Sequence, residues 1–222
     1  MNVFVNTNGS PLRMTGLILA GGLSRRMGGG VNKAFLPLAG RPLLAHVLER
    51  LSPQVEQIVI STNSELERFA AFGLPIFTDL RVGHQGPLAG VEAAFAGTEA
   101  DWILSVAVDL PFLPAQLLDK MREPLQYMST HEPVVAMSGG QHHYVVALWP
   151  RSVVNQLSAA LTNGAFSLRD WFQCHPHRTV MFAFADNEPD PFFNINRPAE
   201  LQVAEALYLA QAARGIACAD ST

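Results

Sequence analysis

The chain is 222 residues long, 49% hydrophobic and 15% charged, a composition that supports one substantial core and excludes extensive disorder. Its net charge of −4 excludes a broad basic face for nucleic acid. No apolar run reaches membrane-spanning length, the opening residues lack the basic-then-apolar order of a secretory signal, and Cys174 and Cys218 are too few for a disulfide framework. Free thiols in a reducing, cytoplasmic compartment are the resulting expectation.

Residues 1–13 read as a loose leader, with Met14 as a second candidate start, 14–215 as a single domain and 216–222 as a tail. The first strand is expected over 17–20, inside the buried-type apolar run Gly16-Leu17-Ile18-Leu19-Ala20. A helix over 42–51 follows, with Leu43, Leu44, Val47, Leu48 and Leu51 on one face and Pro42 where a first turn tolerates it. Then come a strand over 57–61, a helix over 65–72 ended by Gly73, and a short strand over 75–77 leading to Asp79. The spacing next predicts a helix over 88–95 behind Gly86-Pro87, a central strand over 102–108 and a helix over 114–121. Strands over 134–137 and 144–149 flank Gly139-Gly140, followed by a helix over about 152–161, a strand over 179–183 and a closing helix from 198 to about 213. Strands alternating with amphipathic segments predict a Rossmann-like three-layer α/β/α fold, its sheet mostly parallel.

In such a sheet ligands bind at the carboxyl ends of the strands, and the most telling segment lies there. It is Leu19-Ala20-Gly21-Gly22-Leu23-Ser24-Arg25-Arg26-Met27-Gly28-Gly29-Gly30-Val31-Asn32-Lys33. Its glycines let backbone amides approach a ligand, and Arg25, Arg26 and Lys33 supply positive charge for a phosphate chain. Lys33 is followed by Ala34, so this is no Walker sequence, and no G-x-G-x-x-G is present. The same composition also suits a surface turn; its place after the first strand favours a triphosphate site.

Val106-Ala107-Val108-Asp109-Leu110-Pro111-Phe112 places a carboxylate just past a buried strand, at what reads as a solvent-accessible edge. A lone Asp before Pro is also an ordinary turn, but at this edge a hard oxygen ligand would hold Mg²⁺ against phosphate. Gly83-His84-Gln85-Gly86-Pro87-Leu88-Ala89-Gly90 is a second glycine turn at a helix N-terminus, readable as ligand amides or as close packing. Phe192-Phe193-Asn194-Ile195-Asn196-Arg197-Pro198 offers two carboxamides, readable as ligands or as a plain helix cap.

Together, L-A-G-G-x-S-R-R-M-G-G, the following Lys, L-x-G-R-P-L-L, G-P-L-A-G, D-x-P-F and N-x-N-x-P-x-E-L resemble the molybdenum cofactor guanylyltransferase family over about residues 16–202. The resemblance implies a nucleotidyltransferase fold and transfer of GMP from GTP to the phosphate of molybdopterin, with release of pyrophosphate. It implies Mg²⁺ on Asp109 and nucleotide contacts from Leu19, Ala20, Gly21, Gly22, Lys33, Ser61, Asp79, Gly86 and Asp109. Arg25, Lys33 and Asp109 are then the catalytic set, and Asn194 and Asn196 serve the metal and the pterin side. A monomer is expected, with other cofactor-synthesis proteins as possible partners. Gly21-Gly22, where the related cytidylyltransferases usually carry Ala-Gly, favours guanine over cytosine. Those enzymes, other small-molecule nucleotidyltransferases, and a binding module without catalysis remain the alternatives.

The chain departs from the family pattern in places. Asn32 stands where relatives usually have Asp, the glycine loop is one residue longer, and Ser61 aligns with a family Asn, with Asn63 close by. Around Phe166 only Arg169 remains as a cation for the pterin phosphate, and His142-His143, in a segment that contacts the second substrate in relatives, reads more readily as a solvated turn.

Overall fold

The computed structural model describes residues 11–21, 32–81, 86–127, 131–164 and 167–219, with 214–219 described by backbone alone. In chain order the strands are Met14–Leu19 (β1), Pro37–Leu38 (β2), Arg41–Pro42 (β3), Gln57–Ser61 (β4), Ile76–Phe77 (β5), Trp102–Ala107 (β6), Val134–Ser138 (β7), Gln141–Pro150 (β8) and Arg178–Met181 (β9). The helices are Leu43–Leu51 (α1), Leu66–Ala70 (α2), Gly86–Gly97 (α3), Leu117–Arg122 (α4), Val154–Thr162 (α5), Leu168–Cys174 (α6) and Pro198–Ala219 (α7).

Seven strands form one sheet in the order β5-β4-β1-β6-β8-β7-β9, and β2 and β3 make a separate small hairpin. β1 pairs in parallel with β4 and β6, β4 with β5, and β7 with β9, whereas β8 runs antiparallel to β6 and β7. All strands of the sheet except β8 therefore point the same way. The chain moves from β1 outward to β4 and β5, then returns to place β6 on the other side of β1. That reversal opens a crevice above the carboxyl ends of β1, β4 and β6.

The strands are continuously apolar because helices cover both faces. Ile18, Ile60, Leu104 and Val106 pack with α1 and α4, while Leu17, Val59 and Ile103 pack with α3, α5 and α6. Alternate residues of one strand thus serve two separate cores. A third cluster, Leu38, Leu43, Phe112, Ile195 and Ala204, seats α7 against the small hairpin. Just before β1, the Arg13 N–H donates to the Asp101 carboxylate and its carbonyl accepts the Asp101 N–H.

Several boundaries differ from expectation for local reasons. The helix expected over 114–121 begins at Leu117, where the Gln54 amide oxygen accepts the Leu118 N–H. The helix expected over 65–72 contracts to α2 because Glu65 takes a left-handed φ of 52°. The closing helix runs on to Ala219. α6 was not expected, although Ser167 caps it by accepting the Asp170 N–H at 3.4 Å. His142 and His143 lie within β8 itself, because Gly139 and Gly140, both with positive φ, turn the chain in two residues.

Candidate active site

One cleft of about 410 Å³ opens at the carboxyl edge of the sheet. Into it the structure gathers Leu19, Ala20 and Gly21 after β1, Ser61 at the end of β4, Asp79 after β5, Gly86 at the start of α3, Asp109 after β6, and Lys33 and Asn194. Of the residues expected to form a site, Gly22 and Arg25 lie outside the described residues. Arg169 is exposed on α6 and does not line the cleft. Asn63, Pro87 and Val145 line it without having been singled out as contacts. Asn63 was legible as an amide two residues past a strand end; Val145 was not, since only the β6–β8 pairing brings it there.

Lys33 opens a 3-10 turn, Lys33–Phe35, whose cap is Asn32: its side-chain oxygen accepts the Ala34 N–H at 3.1 Å. Asn and Asp cap equally well, so the departure at position 32 preserves the turn that aims Lys33. The Lys33 ammonium donates to Asp109 Oδ2 at 2.6 Å and to Asn196 Oδ1 at 2.5 Å.

Asp109 is buried, with 7% of its surface exposed, and not on an accessible edge as its sequence position suggested. The reason is the chain that crosses above it: the Ile195 N–H donates to the Asp109 backbone carbonyl at 3.1 Å, drawing segment 190–196 over the end of β6. Burial pushes the Asp109 carboxyl above the usual range, and the neighbouring Lys33 charge opposes that shift. Its Oδ1 is buried and has no hydrogen-bond partner among the described residues. An unsatisfied carboxylate oxygen at a cleft is a natural seat for a cation or a donor from a ligand.

Asn196 is held in turn from α7. Glu200 Oε2 accepts the Asn196 N–H at 2.5 Å and the Arg197 N–H at 2.9 Å, the glutamate half of a capping box. The Asn-x-Asn-x-Pro-x-Glu spacing thus has a mechanical meaning: Glu200 fixes the backbone, Asn196 reaches Lys33, and Lys33 reaches Asp109.

On the other side of β1, Asn63 and Asp79 exchange two hydrogen bonds, Nδ2 to Oδ2 at 2.8 Å and Asp79 N–H to Oδ1 at 2.9 Å. Ser61 lines the floor, and a Cβ built on Gly90 would stand 2.6 Å from both Ser61 Oγ and Leu19 Cδ2. The second glycine of Gly-Pro-Leu-Ala-Gly therefore serves close packing of α3 against two cleft residues, whereas Gly86, with φ of 70°, lines the cleft.

A mostly parallel sheet whose order reverses at β1, with a cleft above the reversal, is the architecture of Rossmann-like α/β nucleotide enzymes. Residues 16–180 match the MobA-like NTP transferase domain. A molybdenum cofactor guanylyltransferase of Mesorhizobium japonicum is 40% identical over 203 residues, covering 87% of this chain and 95% of that protein. One from Shewanella woodyi is 37% identical over 197 residues, covering 88% and 98%. The crystal structure of molybdopterin-guanine dinucleotide biosynthesis protein A from Archaeoglobus fulgidus superposes with a TM-score of 0.72 at 24% identity, over 89% of this chain and all of that one. The chain belongs to the molybdenum cofactor guanylyltransferase family of nucleotidyltransferases.

Proposed function

We propose that the chain transfers GMP from GTP to the phosphate of molybdopterin, forming the guanine dinucleotide and releasing pyrophosphate. The observation that carries this reading is the convergence of Lys33, Asp109 and Asn196 on the β6 side of a cleft that also holds Asn63 and Asp79. Strand-end amides, a cation and a buried carboxylate are what a triphosphate needs for binding and orientation.

In the reaction an acceptor phosphate oxygen forms a bond to the α-phosphorus as the bond from that phosphorus to the bridging oxygen breaks, and pyrophosphate leaves. The acceptor monoester is largely ionised near neutral pH, so no general base is required. Positioning and charge stabilisation supply the catalysis. Leu19, Ala20 and Gly21, continued by Gly22 and Arg25, cradle the phosphates; Ser61, Asn63, Asp79 and Gly86 face the nucleoside. Lys33 lines the cleft, and an incoming phosphate oxygen competes with Asp109 for its ammonium.

The unpartnered Asp109 Oδ1 and the carboxamide oxygens of Asn194 and Asn196 are hard donors that fit Mg²⁺. Such an ion, when bound, polarises a phosphoryl oxygen and neutralises developing charge. Val145 brings β8 to the cleft, Asn194 lines it next to the β6 end, and this side takes the acceptor. The exposed Cys174 thiol suits a reducing compartment, and the proposed setting is a cytoplasmic monomer. Among the described residues no helix is long and apolar enough to cross a membrane.

Calorimetric titration of GTP, CTP, ATP and UTP in the presence of Mg²⁺ tests the reading. GTP is expected to bind tightest and, with molybdopterin added, to release pyrophosphate. A preference for CTP, or GTP binding without pyrophosphate release in the presence of competent acceptor, overturns it.

A further inference from the structure

The segment that carries Asn194 and Asn196 is anchored beyond Asp109 by a polar cluster in which Ser138 is buried and His143 and Asp190 are half-buried. Ser138, 1% exposed at the end of β7, has its hydroxyl 2.7 Å from Asp190 Oδ1 and 2.7 Å from His143 Nε2. The same Asp190 oxygen accepts the Phe192 N–H at 2.8 Å. A hydroxyl carries one proton. Ser138 gives it to Asp190, so it accepts from His143, which fixes the imidazole as the Nε2–H tautomer. Burial holds that imidazole below its ordinary pKa, against the pull of Asp190, so it donates as a neutral ring near neutral pH.

This direction of donation excludes a nucleophilic serine. In a hydrolytic triad the serine proton faces the imidazole and the carboxylate sits behind the ring; here the serine proton faces the carboxylate. The cluster is a chain of donors ending on the segment's first residue. Its apolar half reinforces it: the His143 ring lies 4.8 Å from that of Phe192, and Phe192 meets Phe182 edge-on at 5.1 Å.

β7 runs parallel to β6, so Ser138 ends at the same sheet edge as Asp109. Segment 190–196 then crosses from this hairpin to β6, fixed at one end by Asp190, in the middle by Ile195 on the Asp109 carbonyl, and at the far end by Glu200. Asn194 lies between the first two anchors and lines the cleft.

We propose that His143, Ser138 and Asp190 are positioning residues that set Asn194 and Asn196 for the acceptor side of nucleotidyl transfer. The proposal rests on the guanylyl-transfer reading for its kinetic consequence, but its structural consequence stands apart from activity. Asp190 and Phe192 join the cluster to the segment, and the cluster lies on the β8 side, away from Asn63 and Asp79.

The test compares wild type with Ser138→Ala, Ser138→Thr and Asp190→Asn. Side-chain amide resonances of Asn194 and Asn196 are expected to shift in Ser138→Ala and Asp190→Asn and to return towards wild type in Ser138→Thr, which restores the hydroxyl. Efficiency towards the acceptor should fall by roughly tenfold to a hundredfold in the first two, as for a misplaced contact. GTP affinity should fall by far less, through the Asn196 bond to Lys33. Unmoved amide resonances in folded Ser138→Ala overturn the proposal, as does a parallel loss of GTP affinity and acceptor efficiency. Failure of the wild type to release pyrophosphate would remove the transfer reading and leave the amide resonances to decide the proposal.

Discussion

Lys33 and Asp109 stand 2.6 Å apart, with 15% and 9% of their side chains exposed, so each charge depends on the other. Removing one partner of such a pair strands the other. Lys33→Ala should lower stability near neutral pH by roughly 2–4 kcal/mol, reduced from the fully buried case by the residual exposure. The double variant Lys33→Ala/Asp109→Asn should recover much of that loss, because no uncompensated carboxylate remains; thermal melts of the single and double variants check it. The pH sign follows from the direction of the Asp109 shift. Burial raises its folded pKa above the unfolded value, so its contribution is full below the unfolded value and is lost as pH rises through the folded one. Asp109→Asn alone should therefore gain relative stability as pH rises, while its pyrophosphate release falls by roughly 10²-fold or more, since it lacks the anionic ligand. Undiminished turnover in that variant would remove Asp109 from the mechanism.

At the level of elements, α3 is held close to the strand ends by two unlike devices. Gly90 admits Leu19 and Ser61 where a Cβ would lie 2.6 Å from each, so Gly90→Ala should cost about 1–3 kcal/mol as overpacking and weaken GTP binding by displacing both. Normal GTP affinity at a normal melting temperature would show that the strand ends tolerate the shift. Glu92, buried on the same helix, receives two bonds from Arg81 at 3.0 and 3.2 Å, and Arg81 also reaches Thr162 and Ser158 around α5. This ties the segment following Asp79 to two helices. The Arg81 hydrogen bond holds the Glu92 carboxyl below its ordinary value of 4.5. A depressed pKa means stability that is present above the unfolded value and lost as pH falls through the folded one. Glu92→Gln should accordingly be less stable than wild type at pH 7, with the gap closing in acid below about pH 4. A gap that stays constant across that range would show that charge is not what the pair contributes.

For the whole molecule, the cleft is assembled from strand ends on both sides of β1, so a nucleotide filling it would add a bridge between segments that the sheet and α3 already join. Saturating GTP at about 100 times its Kd should add about 2.7 kcal/mol to global stability, read as a rise in melting temperature. The sequence by itself determined the layered α/β class and the approximate position of each strand of the seven-stranded sheet, though not the β2–β3 hairpin, because apolar runs such as Leu17-Ile18 and Val59-Ile60 have no role except between two helical layers. Also legible were devices whose parts lie within a few residues, the strand-end glycines and a helix cap at Asn-x-Asn-x-Pro, whereas the Asn32 cap and the part played by Glu200 emerged from the folded chain. Tertiary structure alone decided that Asp109 is buried, that Lys33 bonds Asn196 across 163 positions of chain, and that Ser138 joins His143 to Asp190. The physical reason is range. Backbone propensity and capping act over one or two turns, whereas a side chain's burial and partner depend on which strands become neighbours, and the crossing of segment 190–196 over β6 is set by the folded sheet.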